Sequence, residues 1–172
     1  MKSILFFVLV CMSSAQAEEN TFNYSDLRAL IESKNLRKIE AVLPKLPEEL
    51  RSSPVLMHKS RSLQKGTFQN PRAILRNSSR RLLIGFNGDP SLPGFDTLEV
   101  IEYDEPAARF KFFEISFDYV KRAKAQFSEE NPAKCLSCHQ SPQRKDIDPR
   151  PNWEPYKTWP GAYGSDDGYF LN

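Results

Sequence analysis

Leu98-Glu99-Val100-Ile101-Glu102-Tyr103-Asp104-Glu105-Pro106-Ala107-Ala108-Arg109-Phe110-Lys111-Phe112-Phe113-Glu114-Ile115-Ser116-Phe117 is the stretch that decides the architecture. Apolar and polar residues roughly alternate on either side of Asp104-Glu105-Pro106, with the period of two that a strand imposes on its side chains. The stretch therefore reads as two antiparallel strands, over 98–103 and 109–117, joined by a turn. Upstream, residues 73–76 and 81–86 form two shorter strands around Asn77-Ser78-Ser79, a hairpin turn of small polar residues. Asn87-Gly88-Asp89-Pro90 and Pro93-Gly94 supply the loop between the two hairpins. Four antiparallel strands in meander order are expected.

The period changes toward the N-terminus. Ser25 is placed to cap an amphipathic helix through Lys34, with Leu27, Leu30 and Ile31 on one face. A second helical piece, residues 36–43, turns Leu36, Ile39 and Leu43 inward and stops before Pro44. Pro47-Glu48-Glu49-Leu50 adds one more turn, with its acids at the helix start. After the break at Ser53-Pro54, the apolar run Val55-Leu56-Met57-His58 is left unassigned between helix and strand. The fold class is thus α+β: N-terminal helices packed on a small antiparallel meander sheet. A helix is expected over 117–127.

Length and composition describe one domain of ordinary globular character, 172 residues with 40% hydrophobic and 27% charged side chains. A formal charge of +2 is too small to point to nucleic acid or to a membrane surface. Residues 1–17 read as a signal peptide: Lys2 supplies the basic start, 4–12 an apolar run too short to span a bilayer, and Ala15-Gln16-Ala17 the cleavage site. Lipidation at Cys11 is disfavoured because Val10 is not the small residue a lipobox places before its Cys. The expected product is an exported, periplasmic, soluble domain over 18–172, helical over 18–52 and mainly sheet over 53–120, without a transmembrane segment. Cleavage leaves Cys135 and Cys138 as the remaining thiols, Met57 as the remaining Met, and His58 and His139 as the two imidazoles.

Asn131-Pro132-Ala133-Lys134-Cys135-Leu136-Ser137-Cys138-His139 carries the chemistry. Its core, Cys-x-x-Cys-His, is the attachment signature of c-type haem. Each thiol can add to one haem vinyl group, and the adjacent imidazole can bind the iron from one side. Asn131 as N-cap and Pro132 in the first helical position predict a short helix that ends before Pro142. On such a helix Cys135 and Cys138 are three apart and Cys135 and His139 four apart, so all three share a face. A structural disulfide, a redox-active thiol pair and a zinc site are the competing readings. A zinc site would need four ligands and has only these two Cys, His139 and His58 to draw on, and neither thiol reading accounts for His139 directly after the second Cys.

Residues 128–172 comprise this helix and a tail rich in Pro and aromatic residues, among them Trp153, Tyr156, Trp159 and Tyr163. Such a tail needs an apolar surface, which a haem edge or the sheet itself can provide. Arg150, its backbone restrained by flanking prolines, and Trp153, through its indole N–H, are the expected donors to the haem propionates. The sixth iron ligand stays open between Met57, His58 as the alternative, and a vacant position. No hydrolytic constellation competes, since His58 has no evident Ser or Asp partner.

Cys135-Leu136-Ser137-Cys138-His139 resembles the motif of c-type cytochromes, which implies thioether bonds from the two Cys and proximal ligation by His139. Residues 150–164 are similar to tails of exported bacterial proteins of uncharacterised type that carry this motif. The order helices, sheet, C-terminal motif is also similar to the β-sheet type of cytochrome c-prime, which binds small gases at an open iron under an apolar cap. Common small cytochromes c differ, with the motif near the N-terminus and a Met ligand downstream. The resemblance implies one covalent haem c, redox partner proteins, and electron transfer rather than an enzymatic activity. The alternatives are a five-coordinate haem protein that binds a gas or reduces peroxide, and a haem-free, disulfide-stapled interaction domain.

Overall fold

The computed structural model describes residues 21–52, 54–59, 62–107, 109–121 and 123–139. The expected signal peptide, Arg150, Trp153 and the tail lie outside the described residues. Helix α1 spans Tyr24–Ser33. It begins two residues earlier than Ser25 would allow, because Asn23 and Asp26 form a reciprocal capping box. The Asp26 N–H donates to Asn23 Oδ1 at 3.1 Å, and the Asn23 N–H donates to Asp26 Oδ2 at 3.0 Å. Helix α2, Ile39–Val42, runs into a 3₁₀ turn at Leu43–Lys45, where Pro44 ends the α-helical ladder. Helix α3, Glu48–Arg51, follows Pro47 with Glu48 and Glu49 in its first turn.

One six-stranded antiparallel sheet follows in strict meander order: β1 Val55–Met57, β2 Arg72–Arg76, β3 Leu82–Phe86, β4 Thr97–Asp104, β5 Arg109–Ser116 and β6 Gln126–Phe127. The mixed α+β class therefore holds, with six strands among the described residues in place of the four expected. The run left unassigned became the edge strand β1, pairing Val55 with Ile74 and Met57 with Arg72. The helix expected over 117–127 is a correction: its last two residues form β6, which adds Phe127 opposite Ile115. Tyr119 explains why the preceding residues serve better as a connection. Its hydroxyl accepts from the Ile39 N–H at 3.1 Å and donates to Glu40 at 3.0 Å, thereby capping α2, whose own N-cap Lys38 supplies no side-chain capping bond.

The alternation sorts the strands into two faces. On the first, Leu75, Leu82, Ile84, Leu98, Val100, Phe113, Ile115 and Phe117 share one buried cluster with Tyr24, Leu27, Ile31, Ile39, Val42, Leu46 and Leu50 of the helical segment. Tyr24 stacks on Phe113 with ring centroids 3.7 Å apart. On the second face, Met57, Ile74 and Leu83 form a small cluster flanked by Val55 and Ile101. That second face also presents Arg72, Glu99, Phe112 and Glu114, and it carries the helix that ends at His139.

Candidate functional site

Helix α4, Ala133–His139, contains the whole Cys-x-x-Cys-His stretch. Its launch depends on β5. After β6 the chain continues alongside that strand: Ser128 N–H donates to Glu114 O at 2.9 Å, and Glu114 N–H donates to Ser128 Oγ at 2.9 Å. Asn131 closes the run by donating its N–H to Phe112 O at 2.8 Å and accepting from the Phe112 N–H through Oδ1 at 3.0 Å. That geometry corrects the capping expectation. Asn131 sits at φ 58°, in the left-handed region that Asn tolerates, and its side chain faces the strand. Pro132 takes the cap position instead, and its carbonyl accepts from the N–H groups of Cys135 at 2.8 Å and Leu136 at 3.1 Å.

The helix lies on the second face of the sheet. Lys134 Nζ meets Glu114 Oε2 at 2.5 Å, and this bond raises the Lys134 pKa against a smaller opposing effect of burial. One turn beyond Cys135, the imidazole of His139 stacks on the Phe112 ring, centroids 4.7 Å apart and planes 19° from parallel. Phe112 therefore holds the helix twice, through its backbone at the start and through its ring at the end. Burial, with a further push from the Arg72 cation, lowers the His139 pKa to about 4. At neutral pH the ring is uncharged and keeps a nitrogen lone pair, the form that binds metals.

Beneath and beside the helix is a buried charge pair. Arg72, 6% exposed, places Nη2 at 2.6 Å from Glu99 Oε2 and donates from Nε to Gln64 Oε1 at 3.2 Å. Ser62 Oγ also donates to Glu99, at 2.9 Å, and Gln64 is itself fixed by bonds from Nε2 to the Thr97 and Gly94 carbonyls. The guanidinium crosses β3 over Gly85. A Cβ added there would lie 2.6 Å from Nη2, so no side chain fits while Arg72 holds its course. Burial lowers the Arg72 pKa, and the charge and hydrogen bond of Glu99 oppose that shift.

The structure brings together Cys135, Cys138 and His139, all in α4. It does not bring Met57 or His58 to them. Met57 faces the same side of the sheet as Phe112, but β1 and β5 are four strand spacings apart, about 19 Å at ~4.8 Å per strand. Its side chain is buried with Ile74 and Leu83. His58 follows β1, exposed, with its ring edge-on to Phe68 at 6.1 Å. Among the described residues no group of three or more His, Cys, Asp or Glu is gathered as for a metal ion. Nor is any helix among them long and apolar enough to cross a membrane.

Sequence reasoning missed Phe112, Lys134, Arg72 and Glu99 as parts of this site. One signal was present: Gly85, isolated within a strand, marks a close approach of another group. Compared with known proteins, the chain matches no family model, no curated protein and no solved structure.

Proposed function

We propose that this chain is an exported single-haem c-type cytochrome that transfers electrons between redox partner proteins. Cys135 and Cys138 would hold the haem by thioether bonds, and His139 would ligate its iron. The observation that carries the reading is that all three residues lie on one helix, Cys135 and Cys138 three positions apart and Cys135 and His139 four. The donor set fits the group. His139 is stacked on Phe112, and the helix carrying the thiols is tied down at its start by Asn131. The haem supplies the one-electron chemistry, while the chain orients the imidazole, shields it from water and sets the charge around it. The expected signal peptide over 1–17 supplies the export that haem attachment requires, and Arg150 and Trp153 remain the proposed propionate donors.

A second reading, a five-coordinate haem protein that binds a small gas or reduces peroxide, is favoured by one observation. The strand register keeps both distal candidates, Met57 and His58, about 19 Å from the strand on which His139 rests. Intact mass of the protein, purified from a bacterial host competent in cytochrome c maturation, tests the first reading. The expected result is residues 18–172 plus one haem, retained after denaturation. A mass equal to the bare polypeptide, or lower by two hydrogens, overturns it in favour of a thiol pair or disulfide. Carbon monoxide then separates the two haem readings, since it binds a vacant iron readily and a Met-ligated iron poorly.

A further inference from the structure

We propose that the buried Arg72–Glu99 pair sets the reduction potential of the iron that His139 would ligate, with Gly85 present to let the guanidinium reach beneath the haem helix. The inference rests on the cytochrome reading and adds to it two tuning residues upstream of the motif.

Three observations carry it. The first is placement. Glu99 is paired in register with Glu114, and Ile101 with Phe112, so Glu99 is the diagonal neighbour of Phe112 on the same face. Such neighbours lie about 7–8 Å apart between strands. His139 stacks on that Phe112, and Lys134 of the same helix binds that Glu114. The charge pair and the imidazole therefore occupy adjacent positions of one small patch.

The second is cost. A buried ion pair is seldom more stabilising than apolar residues of similar volume, and a glycine inside a strand weakens it. The sheet meets both costs at one place, with Arg72 on β2, Gly85 on β3 and Glu99 on β4. On the other face the neighbouring residues of the same strands, Leu75, Ile84, Leu98 and Val100, all belong to the buried apolar cluster. The polar residues thus serve something other than the core.

The third is rigidity. Gln64 and Ser62 fix both partners through bonds of 3.2 and 2.9 Å, so the two opposite charges cannot turn away from the patch. Adding one electron to ferric iron gives ferrous iron and lowers the positive charge of the site by one, with no proton required. A nearby cation favours that change and an anion opposes it, and in a site shielded from water both effects are large.

Redox titration of the haem-loaded protein, followed by its visible spectrum, provides the test. Glu99→Gln leaves Arg72 uncompensated and is expected to raise the midpoint potential. Arg72→Gln leaves Glu99 uncompensated and is expected to lower it. The double variant returns toward the parent value, as does Arg72→Lys, which retains the charge. Shifts of opposite sign support the proposal, because loosened packing alone would move both single variants the same way by admitting water. Shifts of the same sign, or no shift in variants whose mass confirms attached haem, overturn it while leaving the cytochrome reading intact. Should Arg72→Gln fail to fold, the pair Glu99→Gln and Arg72→Lys decides: the first raised and the second unmoved supports the proposal, and any other pattern overturns it. A parent protein without haem overturns both readings together.

Discussion

Under the helices α1–α3, strands β2 to β5 present Leu75, Leu82, Ile84, Leu98, Val100, Phe113 and Ile115 to a single apolar cluster. From their other sides the same strands present Arg72, Ile74, Leu83, Gly85, Glu99, Ile101, Phe112 and Glu114. The first set is interchangeable in kind: burial of hydrocarbon stabilises the fold whatever the residue, provided volume is kept. The second set is specific, since each polar group there has a named partner and each substitution would strand one. A two-faced sheet lets the chain separate these duties. Stability is concentrated beneath α1–α3, so the face beneath α4 can carry buried charge and a glycine.

The largest effect expected from that division lies in the apolar cluster. Ile84→Ala removes a fully buried side chain from the centre of the first face and is expected to cost about 2–5 kcal/mol, read by chemical denaturation. Leu83, its neighbour on the second face, belongs to a cluster of three buried residues. Leu83→Ala should fall at the low end, about 2 kcal/mol, because fewer packed neighbours lose contacts. Equal losses for the two would break the contrast between the faces.

A smaller effect sharpens the account of the second face. Gly85→Ala places a methyl group 2.6 Å from Nη2 and 3.3 Å from Cζ of Arg72, a side chain clamped at both ends and unable to swing aside. The expected penalty is about 1–3 kcal/mol, the range for overpacking. In an Arg72→Leu background the same substitution should cost less, since the guanidinium it displaces is gone, and the difference measures the coupling. A penalty independent of residue 72 would show that Gly85 answers to backbone conformation alone.

How far such features were legible differs between the faces for a physical reason. The strands β4 and β5 announced themselves by alternation, β2 and β3 as short runs around a small polar turn, and α3 by Pro47 and its acids, because these signals are local. β6 did not, as Gln126 and Phe127 are too few to show a period, and the residues before them lack the Pro or Gly that would have broken a helix. Asn23 was passed over for Ser25 because both are good caps, and only the reciprocal bond to Asp26 decides between them. The Cys135–His139 spacing was legible as a motif. Its support was not, because Phe112 reaches His139 across 27 residues of sequence and Arg72 reaches Glu99 across 27 more. Contacts of that range depend on strand register, which becomes fixed only when the whole meander is assembled.

The smallest effect concerns the seam between helices and sheet. Tyr119 caps α2 from outside, so Tyr119→Phe leaves the Ile39 N–H without its acceptor and should cost about 1 kcal/mol near neutral pH. The pH dependence identifies the hydroxyl as the cause. Burial, opposed by the bond from Ile39 and aided by Glu40, raises the phenol to about 12. In the unfolded chain a tyrosine titrates near ~10. Between those values the unfolded chain gives up its proton first, so stability that is complete below pH ~10 is lost as pH rises toward the folded value. The Phe variant has no such proton, and its deficit relative to the parent should close across that alkaline window in parallel denaturation series. A deficit that stays constant from neutral to alkaline pH would mean that the hydroxyl is solvated rather than buried, and that Tyr119 does not tie the helices to the sheet.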